Sequence, residues 1–236
     1  MNSEKIQYLA WDSDFFKIKT GRIWIANSDH LAFLLKEAKN TNYQLIYVFG
    51  NKDFFVGNDI LMQFNGKLVD KKVLFEKEVE NKKQFTVVVS EYTHDELIAE
   101  LAELAYISGE FSRFKLDKNF QKDDFYRMYT IWIDHSVKRK IADNVFVVKE
   151  NGKIKGMVTL KNEDKIGQIG LIAVAPDTQG KGYGKALISA CEKELHKKGI
   201  VKMNVTTQLD NIQACQFYGK CGFHIKDITN IYHFWL

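Results

Sequence analysis

The chain has 236 residues, enough to bury a substantial core as one large domain or two small ones. Its 34 Lys and Arg against 30 Asp and Glu leave a net charge of +4, too mild to argue for nucleic acid, and clusters such as Lys138-Arg139-Lys140 read as solvated faces. Three cysteines without Cys-x-x-Cys spacing read as reduced thiols, and the six scattered histidines give no metal-ligand spacing.

The opening MNSEKIQYLAWDSD carries charges and no apolar core of signal-peptide length. No apolar run approaches the ~18 residues of a membrane span, so a cytoplasmic location without membrane or metal partners is expected. KTGRIWIA at 19–26 predicts a strand, and 28–40 a helix starting from a Ser28 or Asp29 cap. A strand at 43–49, a helix at 58–66 and strands at 68–77 and 83–89 come next. HDELIAELAELA at 94–105 predicts a helix capped by Thr93. A long helix is expected within 120–140, with Phe125, Met128, Tyr129, Trp132 and Ile133 on one side. Strands are expected at 144–149, 153–161, 166–174 and 201–207. This alternation predicts an α/β fold whose mixed sheet is flanked by helices.

The densest signal is Gln179-Gly180-Lys181-Gly182-Tyr183-Gly184. It lies after the strand at 166–174 and a Pro176-Asp177 turn, and it opens a helix. On that helix Tyr183, Leu187, Ala190, Cys191 and Leu195 share one face, and Lys185, Ser189, Glu192, Lys193 and His196 the other. Such a loop leaves backbone N–H groups at a helix N-terminus, where the macrodipole favours negative charge. Glycines let a phosphate approach without a Cβ in the way. The Walker pattern fails, because Gly184 is followed by Lys185-Ala186, and a dinucleotide fingerprint fails because the glycines alternate.

Gln-x-x-Gly-x-Gly after a strand and a Pro-containing turn instead resembles the CoA pyrophosphate loop of the GNAT acyltransferase superfamily. Asn211-Ile-Gln-Ala214-Cys-Gln-Phe217-Tyr218-Gly-Lys220-Cys-Gly222-Phe223 resembles that family's next helix and its exit. The resemblance implies acetyl-CoA as co-substrate. Backbone around Ile172, Ala173 and Val174 would hold pantetheine and polarise the thioester carbonyl. The loop from Gln179 through Gly180, Lys181, Gly182, Tyr183 and Gly184 to Lys185 would bind pyrophosphate. Asn211 would bond pantetheine or a site water, with a helix N-cap as its bland alternative. Tyr218 would protonate the departing thiolate as general acid. Phe217 and Phe223 are expected in the core. Glu110, Asp117, His224 and a water chain stay open as the base.

Two further patterns precede residue 145. Gln63-Phe64-Asn65-Gly66-Lys67, preceded by YQLIYVF, parallels Gln216-Phe217-Tyr218-Gly219-Lys220, preceded by VKMNVTT. A degenerate half-GNAT-like module over 1–105, without its own CoA loop, and a GNAT domain over 106–236 are therefore expected. Trp11-Asp12-Ser13-Asp14-Phe15-Phe16 with Gly21-Arg22-Ile23, and Ser112-Arg113-Phe114 with Asp117, Phe120, Tyr129, Trp132 and Ser136, are similar to segments of the TDP-fucosamine acetyltransferase family. Trp11, Phe15 and Phe16 are most simply core residues. That second resemblance implies N-acetylation of a nucleotide-linked amino sugar for surface polysaccharide, with Arg113, Phe114 and Asp117 on the acceptor side. Another amine (an aminoglycoside, a polyamine or a protein N-terminus), a non-catalytic CoA sensor and an aminoacyl-transferring enzyme stay open as alternatives, as does a homodimer.

Overall fold

The computed structural model describes residues 5–26, 29–80 and 86–236. In chain order the elements are β1 (Gln7–Tyr8), α1 (Ala10–Phe16), β2 (Thr20–Trp24), α2 (Leu31–Asn40), β3 (Leu45–Asn51), α3 (Asn58–Gln63) and β4 (Gly66–Glu78). Then come β5 (Val89–Glu91), α4 (Ala99–Ser108), α5 (Arg113–Leu116), α6 (Lys122–Val137), β6 (Asn144–Glu150), β7 (Lys153–Glu163) and β8 (Ile166–Val174). The chain closes with α7 (Tyr183–Lys197), β9 (Lys202–Gln208), α8 (Ile212–Lys220) and β10 (His224–Trp235). The α/β class with mixed strand pairing, expected from the sequence, is what forms. Among the described residues no helix is long and apolar enough to cross a membrane.

The chain divides into two compact units. The first comprises Met1–Val73, Gln208–Asp210 and Asp227–Leu236; the second comprises Leu74–Thr207 and Asn211–Lys226. The border lies inside β4, between Val73 and Leu74, whereas the sequence divides at 105/106. No loop marks it, because β4 runs unbroken through it. In the first unit β1 pairs antiparallel with β2, and β2 parallel with β3. Thr229–Trp235 of β10 run antiparallel to β3. Leu31, Leu34, Leu35 and Ala38 line the buried stripe of α2, at helical spacing, and join Ile23, Ile46, Val48, Phe64 and Phe234 in the core.

In the second unit β5, β6, β7 and β8 form an antiparallel meander, and β9 returns parallel to β8 through the α7 crossover. Leu101 and Leu104 of α4 and Phe125, Tyr129 and Ile133 of α6 pack on Val145, Val147, Met157 and Leu171. Helix α6 starts at a capping box, with Gln121 and Asp124 satisfying each other's backbone N–H groups.

Several boundaries differ from expectation. Helix α4 starts at Ala99 without a side-chain cap, so Thr93 does not cap it. The Tyr92 hydroxyl donates to the Glu96 carbonyl at 2.7 Å, a group that a helix from residue 94 would need for its own ladder. Helix α3 stops at Gln63 because Asn65 turns the chain with a left-handed φ of 48°. Helix α2 begins after His30 with no side-chain cap; the expected Ser28 cap and residues 83–85 of the expected strand lie outside the described residues. Phe15 and Phe16 are buried, but Trp11 is 45% exposed and stacks on Phe15. Glu192, assigned from the sequence to the polar face of α7, is buried, because Lys77 of β4 meets it at 2.6 Å.

Candidate functional site

The central feature of the second unit is a parting of two strands. Parallel pairing of β8 with β9 covers Ile166–Ile169 against Lys202–Val205 and then stops. Strand β8 continues to Val174 and β9 to Gln208. The backbone of Gly170–Val174 on that side therefore faces no strand among the described residues, while Ile172, Ala173 and Val174 stay paired to β7 at Val158, Met157 and Gly156. An open, extended backbone with alternating N–H and C=O groups is suited to an amide-bearing chain laid beside it.

The glycine loop comes directly after. Beyond the Pro176–Thr178 turn, Gly180 and Gly182 adopt left-handed φ values of +83° and +84°, and an added Cβ on either would meet open space. Helix α7 has no side-chain cap. The backbone N–H groups of Gly180 through Lys185 donate to no described residue; the first closed bond is Ala186 N–H to the Gly182 carbonyl. That row of unpaired donors at the start of a 15-residue helix is a ready anion cradle. Lys185 is exposed beside it. Lys181 Nζ and the Tyr183 hydroxyl both donate to Glu150 Oε1, at 2.8 and 2.9 Å. The Lys181 bond, then the Tyr183 bond, hold the Glu150 carboxyl below the usual range. Gln179 Oε1 accepts from Gln213 Nε2 at 3.1 Å, tying the loop to α8.

On α8, Asn211 Oδ1 accepts the Ala214 N–H at 3.0 Å, so Asn211 is the helix N-cap. Its Nδ2 has no partner among the described residues. Tyr218 is buried among Phe75, Phe217 and Phe223, yet its hydroxyl bonds to no described residue. Burial pushes its phenol well above the ordinary tyrosine range, with smaller contributions from the Cys221 and Cys215 thiols, so it stays protonated at neutral pH. Phe223 is buried as expected; Phe217 is half-buried against the loop.

Elsewhere in this unit, the Arg113 guanidinium lies 4.4 Å over the Phe114 ring, and Phe114 is itself buried against Phe120 and Trp132. Asp117 is buried, its Oδ1 accepting the backbone and side-chain N–H groups of Asn119 at 3.1 Å. Glu110 is exposed and paired with Lys115 at 2.6 Å, and His224 is exposed at the start of β10. The three cysteines are unbridged.

Sequence reasoning passed over two residues. Glu150 holds two side chains of the loop, and nothing in its local sequence marks it. Thr159 did leave a signal: it is the polar member of the otherwise apolar, buried run Met157–Leu160.

The acetyltransferase (GNAT) family model matches residues 98–223, more than half of the chain. An acetyltransferase of Yersinia pestis is 31% identical over 123 residues, covering 46% of this chain and 86% of its own length. The spore coat polysaccharide biosynthesis protein SpsD of Bacillus subtilis is 26% identical over 135 residues, 57% of this chain and 46% of SpsD. A conserved Staphylococcus epidermidis protein of unknown function shares the fold over 100% of this chain and 92% of its own, with a TM-score of 0.68 at 12% identity. The chain is an acetyltransferase and belongs to the GNAT family.

Proposed function

We propose that this protein transfers acetyl from acetyl-CoA to the amino group of a nucleotide-linked amino-deoxysugar. The observation that carries the donor half is the row of unpaired backbone N–H groups from Gly180 to Lys185, just beyond the open edge of β8. When bound, acetyl-CoA supplies an activated acetyl thioester. The loop amides would hold its pyrophosphate, and the β8 edge at Ile172, Ala173 and Val174 its pantetheine arm, with donors for the carbonyl oxygen. Asn211 has its Nδ2 available for the same arm. Tyr218 carries a proton on a hydroxyl without a partner among the described residues, which suits it to protonate a leaving thiolate. The acceptor amine must arrive neutral; Glu110 pairs with Lys115 and Asp117 accepts from Asn119, and these two carboxylates, His224 and a water chain all stay open as the group that takes the proton.

The acceptor half rests on two supports. One is the Ser112-Arg113-Phe114 segment with Asp117, where a guanidinium can pair with phosphate oxygens. The other is similarity to SpsD, named for spore coat polysaccharide biosynthesis. The test is acetyl transfer from acetyl-CoA measured across TDP- and UDP-linked 4-amino sugars, the corresponding free amino sugars, polyamines and aminoglycosides. A kcat/KM highest for a nucleotide-linked sugar is expected; equal or better use of a simple amine would overturn the acceptor assignment.

A further inference from the structure

The parting of β8 from β9 begins at a specific irregularity. Pairing between β7 and β8 runs Val158 to Ile172 and then Leu160 to Ile169, so Thr159 alone faces both Gly170 and Leu171. This is a β-bulge, which bends its strand and re-aims the residues beyond it. Pairing of β8 with β9 ends at Ile169, the residue before it. A bulge inside a sheet strands a backbone N–H, and a buried orphan donor is costly. Here the Leu171 N–H donates to Thr159 Oγ1 at 2.8 Å, in surroundings that leave Thr159 2% exposed. A Cβ at Gly170 would lie 2.8 Å from that same oxygen, so the hydroxyl occupies the space that glycine vacates. Thr159 itself is fixed on the other side by its register with Val145.

We propose that Thr159 is a positioning residue for acetyl transfer: its hydroxyl locks the Gly170–Leu171 bulge and so sets the direction of the open backbone at Ile172–Val174. The inference rests on the acetyl-CoA reading of this site. Thr159 touches no substrate in this scheme. It acts through Leu171, one residue before the backbone assigned to the thioester.

The test uses the whole protein and [1-¹³C]acetyl-CoA, with no acceptor required. The dissociation constant and the infrared carbonyl frequency of the bound thioester are measured in wild type, Thr159→Ser, Thr159→Cys and Thr159→Val. Wild type and Thr159→Ser should lower the carbonyl frequency equally, Thr159→Cys less, and Thr159→Val least. All four should bind within about twofold of one another, because the phosphate loop is a separate contact. A wild-type frequency in Thr159→Val, a Thr159→Ser as impaired as Thr159→Val, or a parallel loss of affinity would overturn the positioning role. If Thr159→Val does not fold, the Ser–Cys comparison decides: equal frequencies overturn the proposal, and a smaller shift in Cys supports it. Failure of the wild-type protein to bind acetyl-CoA would instead overturn the site reading itself, and the role of Thr159 with it.

Discussion

Gly184 is seated on Phe217: a Cβ at Gly184 would come 2.9 Å from the Cε2 and Cζ atoms of that ring. The glycines of the loop therefore divide by task. Gly180 and Gly182 supply left-handed backbone in open space, whereas Gly184 lets the first turn of α7 close on α8.

Gly182→Ala tests the loop with little disturbance elsewhere. A non-glycine residue held in the left-handed region costs roughly 1–2 kcal/mol, so the acetyl-CoA KM should rise about 5- to 30-fold with the fold retained. Gly184→Ala should instead displace Phe217, lowering Tm and kcat together. Steady-state kinetics beside thermal melts separate the two. An unchanged acetyl-CoA KM in folded Gly182→Ala would remove the loop from the donor site.

Tyr218→Phe removes a hydroxyl that bonds to no described residue and leaves the ring packing against Phe75 and Phe223. Stability should move by less than about 0.5 kcal/mol, the range of a change that breaks no contact. If the phenol is the acid, kcat should fall by about 10²–10⁴-fold. Full activity in the variant would return Tyr218 to a packing role.

Arg113→Ala tests the acceptor assignment. A charge-assisted hydrogen bond to phosphate contributes about 1.5–3 kcal/mol, or roughly 10- to 150-fold in kcat/KM for a nucleotide-linked sugar. The free amino sugar should lose little, and acetyl-CoA binding should be unchanged. An equal loss on both acceptors would mean that Arg113 matters only through its packing over Phe114.

The Lys77–Glu192 pair is buried on both sides, and Lys77 Nζ also donates to the Cys221 carbonyl at 2.9 Å. Lys77→Met leaves the buried Glu192 charge without its cation, with the Glu80 N–H at 3.4 Å still donating to it, and should cost about 3–5 kcal/mol in chemical denaturation. The double variant Lys77→Met/Glu192→Met should recover most of that loss. Additive losses would show that the two charges do not compensate each other.

Glu76 carries an acid-dependent contribution. The Lys226 hydrogen bond, against a smaller opposing effect of burial, holds the Glu76 carboxyl below the usual range, with Lys202 adding to it. A depressed folded pKa stabilises the protein above the ordinary carboxylate pKa, and that stability is lost as pH falls through the folded value. The stability advantage of wild type over Glu76→Gln should thus be full above about pH 5 and shrink toward pH 3. A pH-independent difference in urea midpoints would contradict this.

Chain order made much of this protein legible. The β8–loop–α7 unit could be read because its signals are local: a β-branched run, a Pro-containing turn, alternating glycines and an apolar helical stripe lie within about thirty consecutive residues. The strand–helix–strand order of β3–α3–β4 and the strand–helix order of β9–α8 were legible for the same reason, through the parallel of Gln63–Lys67 with Gln216–Lys220. The remainder depends on groups distant in sequence. That the end of β10 completes the first unit beside β3 is decided by pairing across some 180 residues. That Glu192 is a buried partner and not a solvated charge depends on Lys77, far upstream. The N-cap reading of Asn211, one of the two roles open from the sequence, is decided by its bond to Ala214, and the Leu171 N–H meets Thr159 only because the bulge places it there. Periodicity records which side chains avoid water; it does not record which distant backbone group will need a hydrogen-bond partner, and in this site that need is met only in the folded chain.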